Sequence, residues 1–397
     1  MTETAIPEAI LARESEMRAL RQDLHAHPEL GFKESRTSNL VAERLRFWGY
    51  EVHRGLGGTG VVGTLTCGSS ERRLGLRADM DALPIQEAGD RPYRSLHVGC
   101  MHACGHDGHT TMLLAAACHL AATRDFDGTL HLIFQPAEEG LGGGRRMIED
   151  GLFDLFPCDA VFAMHNVPGL PAGRFGFRAG PFTASADTVV ITVHGRGGHA
   201  AMPAETVDPV VVGSAIVMAL QTVVSRNVAS TDSAVVTVGA FQAGQAANVI
   251  PATASLQLTV RTHDAALRER VLRRVHEIAH AQAESFGARA EVVHTPVYPV
   301  LINHERETEF ARRVALDWLG PEGLIADLPL QTGAEDFAYM LAARPGCYFV
   351  IGNGAGEGGA GAQPLHSPAY DFNDACLPIG AAFWARLARR YLGTEPA

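Results

Sequence analysis

Residues 128–140 read GTLHLIFQPAEEG, a run of strand-forming residues that ends in a proline, an alanine and two adjacent carboxylates. A second run of this kind, AVFAMHNVP at 160–168, has His165 near its end. Upstream of both, GHTTMLLAAACHL at 108–120 has the dense apolar pattern of a buried helix. Strands that alternate with helices and end in polar residues predict an α/β sheet with a functional site at its carboxyl edge.

The order of predicted elements changes near residue 180. Residues 184–294 predict a strand, a helix, two strands, a helix and a strand, which is a β-α-β-β-α-β run of the ferredoxin-like kind. Candidate ligands lie on both sides of this run, so we expect an inserted domain at 184–294 within a discontinuous metal-binding catalytic domain at 1–183 and 295–397. The apolar stretch 209–224 is expected to be a buried helix, too short and interrupted to span a bilayer.

The composition of the chain limits the partners and the cellular compartment that are expected for it. The 397 residues carry a formal net charge of −11 and no run of Lys or Arg, which argues against a nucleic-acid partner. Seven cysteines without framework spacing favour a reducing compartment. The N-terminal stretch is amphipathic and has no apolar core of a signal peptide, so we expect a cytoplasmic protein without a membrane anchor.

Four short segments, MHACGHDGHT, QPAEEG, AMHN and PLHSP, carry side chains of the kind that bind divalent metals. They are Cys104, His106, Glu138, Glu139, His165 and His366. One thiolate, three imidazoles and two carboxylates are more than one tetrahedral ion needs. They would suit two ions that share a bridge, with one carboxylate left for acid–base chemistry. Cys104 and His106 would point the same way if the chain is extended at Gly105.

Each of these residues also has an ordinary interpretation, such as a buried cysteine, a capping histidine or a solvated acidic turn. A chemical alternative is a Cys104 nucleophile with His102 or His106 as its base. In RADMDALP, Asp79 and Asp81 lie on one side of an extended segment, where one of them could hydrogen-bond a ligating imidazole. The other possibility is that they cap a turn.

The predicted inserted domain contributes three further candidates. His199 lies in the glycine-rich loop GRGGHAAMP, where the backbone can approach a ligand closely. Asn248 and Arg261 lie near strand ends, and an arginine suits bidentate binding of a carboxylate. An exposed turn histidine and a surface ion pair are the ordinary alternatives.

Taken in order, LHAHPELGF, MHACGHDGHT, QPAEEG, AMHN, GRGGHAAMP, NVIP, AEDFAYM and LHSP resemble the M20 family of metallopeptidases and amidohydrolases, nearly from end to end. The resemblance is to the branch of N-acyl-amino-acid and hippurate hydrolases, with plant auxin-conjugate hydrolases as relatives. It implies a zinc-exopeptidase-like catalytic domain, with a mixed sheet flanked by helices, and an inserted ferredoxin-like lid and dimerisation domain.

The resemblance also implies a role for each candidate. Cys104 would bridge two divalent ions, and the other ligands would be His106, Glu139, His165 and His366. Glu138 would be the general base, and His199 would reach the active site of a partner subunit to stabilise the oxyanion. Asn248 and Arg261 would contact the substrate carboxylate, and Asp81 would orient a ligating imidazole. The implied reaction is hydrolysis of the amide bond of an N-acyl amino acid by a homodimer.

The sequence departs from the peptidase branches, which have His-x-Asp where Asp79-Met80-Asp81 stands and an aspartate bridge where Cys104 stands. These differences leave the metal open among Mn, Zn, Co and Ni. A dipeptidase or carboxypeptidase is the alternative within enzymes. A metal-binding protein without turnover is the alternative from another class, although storage needs no base beside Glu139. A Cys104 thiol hydrolase would survive chelation.

Overall fold

The computed structural model describes residues 5–355 and 361–393, and the chain divides into two compact units. The first unit comprises Met1–Gly180, Ile302–Pro329 and Asp336–Ala397, and the second comprises Pro181–Leu301 and Leu330–Glu335. Elements are numbered along the whole chain. The strands β7 (Gly180–Thr183) and β14 (Leu301–Asn303) lie where the chain passes from one unit to the other.

The first unit contains a mixed sheet and its flanking helices. The helices are α1 (Glu8–Leu11), α2 (Glu14–Ala26), α3 (Ser35–Phe47), α4 (His106–Thr123), α5 (Gly143–Glu149), α6 (Leu152–Leu155), α9 (Glu305–Leu319), α10 (Phe337–Ala343) and α11 (Cys376–Tyr391). The strands are β1 (Glu51–Arg54), β2 (Val61–Cys67), β3 (Arg73–Asp79), β4 (Gly128–Gln135), β5 (Ala160–Pro168), β6 (Phe175–Gly176), β15 (Leu324–Ile325) and β16 (Gly346–Gly354).

Within the described residues the sheet order is β1-β2-β4-β3-β5-β16-β6-β15. The four central strands β4, β3, β5 and β16 are parallel to one another, whereas β1 and β2 are antiparallel to their neighbours. Parallel strands are covered on both faces, and accordingly β16 is buried along its whole length. The expected α/β class with a mixed sheet is confirmed.

The second unit is an antiparallel sheet with two long helices. Its strands are β8 (Ala186–His194), β9 (Gly198–His199), β10 (Ala234–Ala243), β11 (Val249–Ile250), β12 (Thr253–Thr262) and β13 (Arg289–Tyr298), and its helices are α7 (Pro209–Asn227) and α8 (Ala265–Ser285). The sheet order β10-β12-β8-β13 and the β-α-β-β-α-β order along the chain confirm the ferredoxin-like fold. Asp208 and Asp264 cap the two helices through their side chains, which fixes where each helix begins.

The helix α7 differs from the sequence prediction. It is continuous over 19 residues, and by length and composition it is the one helix in the described chain apolar enough to cross a membrane. Only one face is buried, through Val212, Ile216, Leu220 and Val223 at helical spacing. The expectation of a short, buried helix was therefore wrong, because apolar side chains also cover its outer face: Val210, Val211, Met218 and Val224.

Candidate metal centre

The carboxyl ends of three parallel strands bring the acidic and imidazole segments to one edge of the first unit's sheet. Asp79 is the last residue of β3, Glu138 and Glu139 follow β4 by a short turn, and His165 lies toward the end of β5. Ala137 in that short turn has a left-handed φ of 54°, which costs energy for a residue with a Cβ. Strained backbone of this kind is found most often at functional sites.

The segment Cys104-Gly105-His106 forms a sharp turn at the start of α4. Gly105 has φ 90° and ψ 16°, so the expectation of an extended chain there was wrong. A Cβ at Gly105 would overlap the Asn166 amide and the Tyr370 hydroxyl, which explains why the position needs glycine. The turn places the Cys104 Sγ 3.4 Å from the His165 Nε2.

Asp81 orients His106 and the backbone of Glu139 together. Its Oδ1 lies 3.2 Å from the His106 Nδ1, and its Oδ2 accepts a hydrogen bond of 2.9 Å from the Glu139 backbone N–H. A carboxylate on one ring nitrogen fixes the tautomer and leaves the other nitrogen for a metal. The nitrogen of His106 that is available to an ion is therefore its Nε2.

The five predicted ligands form a continuous cluster. Ligand atoms of Cys104, His106 and Glu139 all lie within 4.8 Å of one another. His165 joins this group through the Cys104 thiol, and the His366 Nε2 lies 3.3 Å from the Glu139 Oε1. His366 also has a left-handed φ of 63°, and its backbone N–H donates to the Ala103 carbonyl at 2.8 Å.

A second group of Asp79, His106, His109 and His165 also has ligand atoms within 4.8 Å of one another. Both nitrogens of His109 are already bonded, because Nδ1 lies 2.6 Å from Asp79 and Nε2 accepts two hydrogen bonds of 3.0 Å from Asn166. We did not single out His109 from the sequence, although its position three residues after His106 on one helix was a usable signal.

Both groups contain His106, so the atom that distinguishes the first group from the second is the Glu139 Oε1, which lies within ion-pair distance of His366. The His106 Nε2 and the Glu139 Oε1 make no hydrogen bond with any other described residue. A buried polar atom without a partner costs free energy, and a bound cation would remove that cost. The Cys104, His106 and Glu139 group is therefore the stronger candidate of the two for an ion site.

Electrostatics oppose a nucleophilic role for Cys104. Burial, followed by the charges of Glu139 and Glu138, raises the pKa of the Cys104 thiol well above its ordinary value. Burial and the neighbouring His109 lower the pKa of His165 well below its ordinary value. A cysteine nucleophile needs a lowered thiol pKa, whereas the pKa of Cys104 is raised.

The same charges favour a cation. Burial would lower the pKa of His106, but Asp79, Asp81 and Glu139 outweigh it and raise this pKa to about 10. For Asp79 the effect of burial is outweighed by His106 and Arg77, which hold its pKa well below the ordinary value. A thiol, imidazoles and carboxylates in a negatively charged pocket are a donor set that fits Zn, Mn, Co or Ni.

Glu138 lies outside both groups that contain His106. Its residue is 6% exposed, and one of its carboxylate oxygens lies within 4.8 Å of one from Asp336. Asp336 is itself held by the Gln135 side chain and the Gly144 backbone N–H. Glu138 is thus a buried carboxylate next in sequence to the candidate ligand Glu139, and a carboxylate is among the groups that can serve as a general base.

In the second unit the structure brings two of the three candidates together. The strand β9 pairs with β11 so that His199 faces Val249, and the Ala200 N–H donates to the Asn248 carbonyl at 3.2 Å. His199 and Asn248 are both exposed. Arg261 lies eight residues beyond Thr253, near the other end of β12, which places it about 27 Å along the strand from that end of the sheet.

The fold and the site together define a metal-dependent hydrolase. The chain belongs to peptidase family M20/M25/M40, whose model matches residues 75–390. It is 42% identical to the hippurate hydrolase of Campylobacter jejuni, over 98% of this chain and 99% of that protein. It is 37% identical to thermostable carboxypeptidase 2 of Saccharolobus solfataricus, over 94% of each chain. A crystal structure of a dinuclear metal-binding M20 peptidase from Bacillus subtilis matches with a TM-score of 0.83 at 31% identity, over 97% of this chain and 99% of that one.

Proposed function

We propose that this protein hydrolyses the amide bond of N-acyl amino acids of the hippurate type and releases a carboxylic acid and a free amino acid. The observation that carries the proposal is the buried group of Cys104, His106 and Glu139 with Glu138 beside it. The similarity to a hippurate hydrolase over nearly the whole chain supports the substrate class.

We assign the binding of two divalent ions to Cys104, His106, Glu139, His165 and His366. Such ions polarise a carbonyl and acidify water when bound. Glu138 accepts a proton from the attacking water on its carboxylate and returns that proton to the leaving nitrogen. Asp81 keeps the Nε2 of His106 directed at the metal by holding its Nδ1.

The placement of the second unit's candidates supports the proposal of a homodimer. His199 and Asn248 lie at one end of β12 and Arg261 near the other, about 27 Å away, which is longer than a hippurate-sized substrate. If all three serve a substrate, two copies of the chain must supply them. The exposed outer face of α7 and the strand β10, which has one sheet neighbour among the described strands, offer a surface for a two-fold contact.

Charge and cysteine usage support the remaining proposals. The net charge of −11 disfavours a nucleic-acid partner, and all seven cysteines are free thiols, which suits the cytoplasm. The metal is one of Mn, Zn, Co or Ni. We propose no membrane role for α7, because its outer face is the dimer surface suggested above.

The test is a panel of N-benzoyl, N-acetyl and N-indoleacetyl amino acids, dipeptides and N-blocked peptides, assayed on apoprotein reloaded with each of the four metals. We expect the N-acyl amino acids to be turned over and chelation to abolish activity. A carboxypeptidase is the second candidate, favoured by the similarity to the Saccharolobus protein. Preference for N-blocked peptides over N-benzoylglycine would establish it, and activity that survives chelation would overturn the metal assignment.

A further inference from the structure

We propose that Asn166 and Tyr370 are positioning residues that lock three ligand segments of the metal centre into one geometry. The three segments are the Cys104–His106 turn, the strand end at His165 and the loop at His366. The inference rests on the proposed metal ligands but adds two residues that neither bind metal nor contact substrate in that proposal.

Asn166 joins two of these segments through its own polar groups. Its Nδ2 donates to the Cys104 carbonyl at 2.7 Å and to the His109 Nε2 at 3.0 Å. Its backbone carbonyl lies 2.7 Å from the His165 Nδ1, which therefore carries a proton and leaves Nε2 to face the Cys104 thiol. One fully buried residue thus sets both the backbone of one ligand and the ring tautomer of another.

Tyr370 adds the third segment. Its hydroxyl donates to the Asn166 Oδ1 at 2.7 Å across 204 residues of chain. It lies four residues after His366, and its backbone N–H donates to the Ser367 carbonyl within the same loop. A shift of the Tyr370 loop would therefore change the support of Asn166 and the position of His366 together.

These groups are closely packed, which restricts the arrangement that the ligand segments can adopt. Gly105 approaches the Asn166 amide and the Tyr370 hydroxyl so closely that a methyl group would not fit. His109, which accepts from Asn166, is held in turn by Asp79, and Asp79 is paired with Arg77 at 2.8 Å. Asn166 and Tyr370 are both fully buried, so bulk water cannot replace a hydrogen-bond partner that one of them loses. The polar group left unpaired would then destabilise the fold.

The experiment measures the affinity of Zn²⁺ for the full-length protein by competition with a chromophoric chelator, with ion content counted by mass spectrometry. The variants are Asn166→Ala, Tyr370→Phe and their combination. We expect each single change to raise the Kd of Zn²⁺ by about 10- to 100-fold, the usual effect of removing a group that orients a ligand. The double variant should lose less than the product of the two, because Tyr370 acts through Asn166.

The chain supplies matched controls in the same unit. Asn303 is a buried asparagine that donates to two backbone carbonyls and accepts from one backbone N–H. Tyr50 is a buried tyrosine whose hydroxyl donates to the Ala117 carbonyl at 2.9 Å. Asn303→Ala and Tyr50→Phe should lower the Tm as much as their counterparts while the Kd of Zn²⁺ stays within about twofold of wild type.

If Asn166→Ala fails to fold, Tyr370→Phe still tests the inference. It removes a single oxygen, so the variant should still fold. Zn²⁺ affinity of Tyr370→Phe equal to that of Tyr50→Phe would overturn the inference. Wild-type protein that binds no divalent ion would overturn the proposed function instead, so the two failures are distinguishable. In Co²⁺-loaded protein, weakened thiolate-to-cobalt absorption in Tyr370→Phe at full occupancy would support the positioning of Cys104 specifically.

Discussion

The two units hold most of their candidate residues in opposite ways, the exceptions being the exposed His366 and the partly buried Arg261. In the first unit His106 is fully buried and Glu138 is 6% exposed, and the surrounding atoms fix the orientation of the ligand side chains. In the second unit His199 and Asn248 are exposed, and the His199 Nδ1 accepts a local hydrogen bond from the Ala201 N–H. The buried residues of the first unit are organised before any ligand arrives. The exposed residues of the second unit lose their water only when another surface covers them.

This difference in burial indicates what each unit contributes to the proposed site. A buried, hydrogen-bonded set gives affinity and geometry, since its reorganisation is already complete on folding. An exposed hydrogen-bond donor contributes strongly only when water is removed around it. We therefore expect changes in the first unit to alter metal binding or chemistry within one chain, and changes in the second to depend on assembly.

The largest effect should come from Glu138→Gln. The amide keeps the shape but cannot accept the water proton, so kcat should fall by about 10² to 10⁴ while both ions remain bound. The measurements are turnover of N-benzoylglycine and metal content, with Glu149→Gln on α5 as an exposed control. Near wild-type turnover at full metal occupancy would show that the base lies elsewhere.

His199→Ala tests the exposed side of the comparison. Loss of one oxyanion donor should reduce turnover by roughly 10² to 10³ with metal content unchanged. Mixing inactive His199→Ala with inactive Glu138→Gln should restore about a quarter of wild-type activity, because half of the dimers are mixed and each has one intact composite site. His276→Ala, a change of an exposed histidine on α8, is the control.

Inactive mixtures would reject the sharing of His199 between copies, provided that mass spectrometry shows mixed dimers. A monomeric wild-type protein with full activity would reject it more simply.

A third prediction concerns the buried ion pairs behind the ligand turn. Burial would lower the pKa of His25, but Asp107 and Glu87 outweigh it and raise this pKa to about 9. The folded pKa exceeds the ordinary value of about 6.5, so the protonated histidine stabilises the fold fully below pH 6.5, and this contribution is lost as pH rises through 9. The free energy of unfolding should therefore fall by about 3 kcal/mol between pH 6.5 and 9. Urea unfolding of wild type and of His25→Gln at several pH values in that range measures this fall.

His131→Gln is the matched control for this pH dependence. Burial lowers the pKa of His131 to about 4, so its ring is neutral throughout the range in question. Its replacement should shift stability by the same amount at every pH from 6.5 to 9. If the free energy of unfolding of His25→Gln changes with pH as much as that of wild type, the ion-pair interpretation is contradicted.

The smallest of the four effects is expected for Cys104→Ser. A serine hydroxyl is a poor, rarely ionised ligand, so at least one ion should bind about 10-fold or more weakly. Equilibrium dialysis with Zn²⁺ measures this, and Cys100→Ser, also buried, is the control. Full metal occupancy of Cys104→Ser, together with loss of wild-type activity on thiol alkylation, would favour the nucleophile after all.

The sequence was sufficient for features that follow from local pattern. Apolar runs that end in polar residues predicted the parallel strands, and the alternating strands and helices of the second unit predicted its topology. The positions of Cys104, His106, Glu139, His165 and His366 near one another agree with the ligand types read from the sequence, although their roles stay predictions.

Features that depend on distant contacts could not be predicted in this way. The bond between Tyr370 and Asn166 spans 204 residues, and no local pattern encodes it. Those same two side chains leave no room for a Cβ at Gly105, so the need for glycine there became interpretable only in the fold. The outer face of α7 misled the prediction because several apolar side chains are exposed there among polar ones, and a dense apolar pattern normally indicates burial.

The discontinuity of the first unit affects the order in which the chain can fold during synthesis. The central strand β5 receives β16 as a neighbour only when residues 346–354 exist, and the buried Arg21 receives Asp374 still later. The main segment of the second unit, Pro181–Leu301, is contiguous and therefore leaves the ribosome whole before either partner is made. Of the carboxylates that pair with Arg21, Asp107 is made early, but Asp371 and Asp374 are added only when the chain is nearly complete. A nascent or truncated chain therefore lacks part of the first unit on the far side of the inserted segment.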